Sequence, residues 1–151
     1  MQREISMKAI TRVLGQPRDP GLLLRGVQAW TVPQPNGVLA LREQLDENST
    51  RAVWDLERGR IALTVTEHNS LQDALNALAD ELEANQLAEL PLGPADLGEI
   101  SFVHPVNAPP AVFFVRGNLT LGVHSFSREP VDVLSFARRV DEALRGGKVP
   151  S

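Results

Sequence analysis

The chain has 151 residues, a net charge of −4, and hydrophobic residues over 42% of its length. That length fits one domain, or two half-sized units sharing a core, and a 23% charged fraction is too low for a disordered chain of this apolar content. The acidic balance and the scattered arginines exclude nucleic acid as the expected main partner, and the lack of cysteine excludes disulfides, thiolate catalysis and cysteine-ligated metals.

The first stretch, MQREISMKAITRVLG, lacks the apolar centre of a signal peptide. No apolar run is long enough to span a bilayer. A soluble, cytoplasmic protein without a membrane partner is therefore expected. Residues 4–14 suggest a short helix with Ile5, Ile10, Val13 and Leu14 as its apolar positions. QPRDPG at 16–21 is a turn. Residues 22–32 are apolar, with Trp30 near the end, and read as a strand or an extended arm before PQPNG at 33–37. Nothing in 1–37 matches a later stretch, so it is an N-terminal extension.

From Val38 the pattern is more regular. Residues 38–43 suggest a strand, DENST at 46–50 a polar loop, and 52–57 with 60–67 a hairpin around Gly59. Ile61, Leu63 and Val65 alternate with Ala62, Thr64 and Thr66, which is a strand with one buried face. Ser70-Leu71-Gln72-Asp73 has the shape of a capping box, in which the serine oxygen accepts from an orphan helical N–H. Leu71, Leu75, Leu78 and Leu82, widened by Ala74, then form one helical stripe running to about residue 87 or 88. PLGPADLG ends that helix and links the halves at 91–98. A strand at 99–104 and a proline-rich loop at 105–110 lead into AVFFVRGNLTLGVHSF at 111–126, two strands joined at Gly117-Asn118. Pro130 suits the first turn of a final helix that places Val133, Phe136, Ala137, Val140 and Leu144 on one face and stops at Gly146-Gly147.

The two hairpins superpose without gaps. Trp54, Leu56, Arg58, Gly59, Ile61, Leu63 and Val65 fall on Val112, Phe114, Arg116, Gly117, Leu119, Leu121 and Val123. A two-residue turn with Gly117 first puts Phe114 opposite Leu121 and Val112 opposite Val123. The same register in the first copy puts Leu56 opposite Leu63 and Trp54 opposite Val65. Each hairpin then has one apolar face. The helices align by face, Leu71 on Val133 through Leu82 on Leu144. The expected fold is α+β: an antiparallel sheet of two repeated β-β-β-α units, 38–90 and 99–147, with both helices on one face, in a single compact domain. Arg58 and Arg116 are either symmetric anion sites or turn-flanking arginines in solvent.

The outer faces of the hairpins differ. The first carries Asp55, Glu57, Arg60, Ala62 and Thr64; the second carries Phe113, Val115, Asn118, Thr120, Gly122, His124 and Phe126. An apolar patch on the open side of a sheet has to be covered. Three covers are available to it: the N-terminal segment with Trp30, a second protomer, or a ligand or partner protein.

Diagnostic chemistry is missing from the sequence. His68, His104 and His124 are the only histidines, and no two have metal-ligand spacing. Glu67-His68 resembles an acid–base pair, but adjacent strand residues face opposite ways. No nucleophile elbow, phosphate loop or dinucleotide fingerprint is present, and neither a cofactor nor a metal is called for. The leading expectation is a non-catalytic binding or assembly module, acting on a protein partner or as a homodimer. Its site is the outer face of the second hairpin, at Phe113, Val115, Thr120, His124 and Phe126. The alternatives are a small hydrolase or isomerase with His104 and His124 as acid–base groups between the halves, and a carrier with an apolar-ligand cavity between sheet and helices.

Overall fold

The computed structural model describes residues 26–27, 30, 32–57, 59–84, 98, 100–104, 111–126 and 133–146. The expected helix at 4–14, most of the 22–32 segment, Arg58, the helix continuation past Ala84, the linker up to 97, the 105–110 loop and Pro130 lie outside the described residues. So do the side chains of Leu82 and His104.

The elements are β1 (Val38–Asp46), β2 (Ser49–Leu56), β3 (Gly59–Glu67), α1 (Leu71–Ala84), β4 (Ile100–His104), β5 (Ala111–Arg116), β6 (Leu119–Ser125) and α2 (Val133–Gly146). They form an α+β fold on one six-stranded sheet, in the order β1-β2-β3-β6-β5-β4. Every neighbouring pair is antiparallel.

Two turns differ from expectation. DENST is not a loop: β1 runs to Asp46 and β2 starts at Ser49. The Asp46 side chain closes the gap by accepting from the Asn48 N–H at 2.7 Å, a local aspartate turn that frees Ser49 and Thr50 to pair. In the next hairpin Leu56 lies opposite Gly59 and Trp54 opposite Ile61, so Gly59 opens β3 rather than forming the turn. The partner of Trp54 moves by four positions relative to the expected register. Four is even, so the same side chains stay inside. The slide also sets Asp55 across from Arg60, where Nε and Oδ1 pair at 2.6 Å. The second hairpin keeps its expected register, Phe114 opposite Leu121 and Val112 opposite Val123. Gly117 takes φ 60° there, the left-handed conformation that a glycine adopts without a Cβ penalty.

Alternation along the strands sorts the core into two layers. On one face Trp54, Ile61, Leu63, Val112, Phe114, Leu121 and Val123 pack against Val133, Phe136, Ala137, Val140 and Leu144 of α2. Trp54 and Phe136 meet edge to face, with centroids 5.3 Å apart. Val27 and Trp30 join this same layer, so the described part of the N-terminal extension does not cover the outer face of the second hairpin. That outer face is covered by α1 instead: Leu71, Ala74, Leu75, Leu78 and Ala79 pack on Ala111, Phe113 and Val115. The two helices therefore lie on opposite faces of the sheet, not on one. The physical reason is β5, whose residues 111–115 are all buried. A strand apolar on both sides needs a layer on each. Burying Leu71, Leu75 and Leu78 here contributes about 1.5–3 kcal/mol apiece.

Each half keeps the order of three strands and a helix, but the halves do not mirror one another. A two-fold axis through an antiparallel β3–β6 pair would carry a helix to the same face in both halves. Arg116 also departs from both of its readings. Its Nε donates to Asp141 Oδ1 at 2.8 Å and its Nη2 to Oδ2 at 3.1 Å, and the Gly98 N–H donates to the same Oδ2 at 3.1 Å. The Asp141 side chain is 3% exposed. This is a buried fork-shaped ion pair tying α2 to β5, rather than an anion site or a solvent arginine.

Candidate functional site

The first turn of α1 is fixed as the sequence implied. Ser70 Oγ accepts from the Asp73 N–H at 3.1 Å, so one orphan donor is satisfied. The residue before the cap region, His68, is held by the second hairpin's turn. Its N–H donates to Asn118 O at 2.8 Å, and Asn118 Nδ2 donates back to His68 O at 3.0 Å. That clamp aims the imidazole over the sheet, where Nε2 lies 3.0 Å from Thr120 Oγ1.

Beneath α1, on the same face, is a cavity of about 200 Å³. Its floor carries three hydroxyls: Thr64 and Thr66 on β3 and Thr120 on β6. His68 and His124 close two sides, Ala77, Leu78 and Glu81 of α1 form the roof, and Phe113 is the apolar wall. Gly122 makes the room. A Cβ at that position would lie 3.2 Å from His124 Cε1 and 3.6 Å from Phe113 Cδ1. The His124 ring meets Phe113 edge to face at 5.1 Å and stacks beside Phe126 at 6.4 Å.

Burial sets the charge state. Desolvation lowers the His68 imidazole below the ordinary histidine value, with Asp73 opposing the shift. Desolvation also lowers His124, and the nearby Arg51 cation adds to the effect. Partial desolvation pushes the Glu81 carboxyl up, although the residue is exposed at the rim. At neutral pH the cavity is therefore lined by two uncharged imidazoles and three threonines, of which Thr66 Oγ1 already pairs with Ser49 Oγ at 2.9 Å and Thr120 Oγ1 with His68 Nε2.

Of the residues expected at the site, Phe113, Thr120 and His124 line this one cavity. Val115 is fully buried under α1, and Phe126 is 53% exposed beside the His124 ring. The open patch at Phe113 and Val115 is thus closed by the chain's own helix, which is none of the three covers expected. His104 is not brought to His124: its backbone sits across from Ala111, which in turn sits across from His124. One strand intervenes, a separation of about 10 Å. His68 is the partner that sequence reasoning missed. It lies one residue past the end of β3 and continues the alternation of Thr64 and Thr66, which is the signal that points it into the cavity. Among the described residues no group of three or more histidines or acids is placed to hold a metal ion, and no helix is long and apolar enough to cross a membrane. Comparison of the chain with protein families, curated proteins and solved structures finds no match.

Proposed function

We propose that the protein is a non-catalytic binding module whose site is the cavity under α1, and that its ligand is a small organic molecule with an apolar body and hydrogen-bonding groups. The observation that carries this reading is the composition of the cavity wall: threonine hydroxyls and uncharged imidazoles on the floor and sides, Phe113, Ala77 and Leu78 around the rest. Small-molecule sites are concave and mostly apolar, with a few convergent polar groups. A space of this size is enough for a single ring, since a dry cavity of about 150 Å³ takes benzene. Binding is favoured over catalysis because His68 Nε2 is engaged by Thr120, and among the described residues no carboxylate is hydrogen-bonded to His124 to orient it as a base. The repeated β-β-β-α order supports a diverged duplication in which α1 took the face that holds the site.

Benzamide serves as a probe of ring size with donor and acceptor. In amide-detected NMR titrations its addition is expected to shift Thr64, Thr66, Thr120 and Gly122. The Ala77→Phe variant, which fills the cavity from α1, is expected to lose those shifts while keeping its thermal unfolding transition. Shifts scattered over the surface, or unchanged in a folded Ala77→Phe protein, would refute the cavity as the site.

A further inference from the structure

An arginine stands beside the cavity, on the same face of the sheet. Arg51 on β2 lies across from Thr64 of the cavity floor, and its guanidinium carbon sits 5.9 Å from the centre of the Phe126 ring. Phe126 in turn stacks beside His124. Arg51 also lies across from Glu43 of β1, yet no described carboxylate forms an ion pair with it. The His124 imidazole is equally unspent: ring contacts hold it, but no described residue hydrogen-bonds either nitrogen. The half-buried ring lines the cavity, so its nitrogens are available to a ligand that enters. Arg51 and Thr64 are cross-strand neighbours on the face that carries His124, so guanidinium, hydroxyl and imidazole come from three neighbouring strands beside one end of the cavity.

We propose that the cavity takes a small monocarboxylate, its anionic end held between Arg51 and His124 with the Thr64 hydroxyl donating, and its apolar body against Phe113 and Leu78. This rests on the cavity being a ligand site. Among the described residues, the charged and titratable groups on the face around His124 are Arg51 and Asp55 from β2, Arg60 from β3, where Asp55 pairs with it, Glu81 from the α1 rim and His68 from the connection into α1. Glu43 lies beyond Arg51 on β1, and α2 packs on the other face of the sheet. Glu81 opposes a second negative charge on the ligand, which restricts it to a monoanion. In the empty cavity Arg51 and burial both keep His124 uncharged. A bound carboxylate offsets the arginine and favours the imidazolium, so binding takes one proton from solvent onto His124 and forms a charge-assisted hydrogen bond.

The test compares benzoate with benzamide, the same ring with and without the charge, on the whole chain. Expected is benzoate binding about tenfold tighter near pH 6, as one charged hydrogen bond confers, with the His124 ring proton signal titrating at higher pH in its presence. Arg51→Gln and His124→Gln are each expected to bring benzoate down to the affinity of benzamide, and Arg51→Lys to keep part of the preference. Equal affinity for the two probes, both lost in Ala77→Phe, would overturn the carboxylate and leave the cavity as a ligand site. Binding of neither would overturn both. A benzoate preference untouched by Arg51→Gln, in a variant with an unchanged unfolding transition, would overturn the assignment of the anionic end.

Discussion

Replacing Arg116 by methionine should be among the most destabilising single changes in the molecule, and the structure says why. Among the described residues the Asp141 carboxylate accepts from Nε and Nη2 of the Arg116 guanidinium and from the Gly98 backbone. Removing the arginine deletes the cation and two charge-assisted bonds but leaves an acid that is 3% exposed. Breaking a buried pair in this way costs about 3–5 kcal/mol, because the remaining buried charge has lost its cation. Domains have a total stability of about 5–15 kcal/mol, and for a chain of this size the change should lower the melting temperature by on the order of 10 °C. Removing the charges together tells a different story: Arg116→Met with Asp141→Leu should recover most of the loss, since an apolar pair of similar volume is often neutral. Urea unfolding of the four proteins, followed by circular dichroism, closes the double-mutant cycle. A cost below about 1 kcal/mol for Arg116→Met alone would place the pair with solvent-screened surface bridges and refute its role as a tie between α2 and β5.

Acid should weaken the fold through the two cavity histidines. Both titrate below the ordinary value of 6.5 in the folded chain. The unfolded chain therefore takes up those protons first; stability is full above about 6.5 and is lost as the pH falls toward the depressed values. A His68→Gln, His124→Gln double variant should show a shallower fall of melting temperature between pH 7 and 5.5; an unchanged slope would contradict burial as the cause. Ser70→Ala should cost roughly 1 kcal/mol in urea unfolding, the usual worth of an N-cap, and no loss at all would mean that the Asp73 N–H finds another acceptor.

Much of the architecture was legible because it depends on short-range patterns. The α2 stripe of Val133, Phe136, Ala137, Val140 and Leu144 is buried as its spacing implied, and Ser70 caps α1. The Gly117 turn set the register of β5 and β6 because a two-residue turn allows few alternatives. The first hairpin's turn was less legible, since positions 57 and 58 carry no turn-forming pair. Its usable signal was the opposite charges of Asp55 and Arg60, which pair only in the observed register. The placement of α1 failed for an instructive reason. Matching the stripe of α1 to that of α2 puts both helices on one face, whereas the uncovered apolar surface at Phe113 and Val115 lies on the other. Asp141 carried a similar signal: an acid four residues after Ala137, inside a buried stripe, asks for a buried partner. Half of the candidate site was visible, as Phe113, Thr120 and His124. His68 was signalled by the alternation of Thr64 and Thr66, whereas the helical roof belongs to the site only through tertiary placement.

The far edge of the sheet has a property of its own. β1 exposes Val38, Leu39, Leu41 and Leu45, and a nine-residue edge strand so apolar is a template on which further chains can stack. Its pairing with β2 is interrupted twice, between Leu39 and Leu41 and again between Gln44 and Asp46. Such irregularities bend a strand and increase its local twist. An incoming strand would meet three short runs rather than one straight ladder, so the leucines can stay in water while the backbone beside them remains a poor seed for fibres.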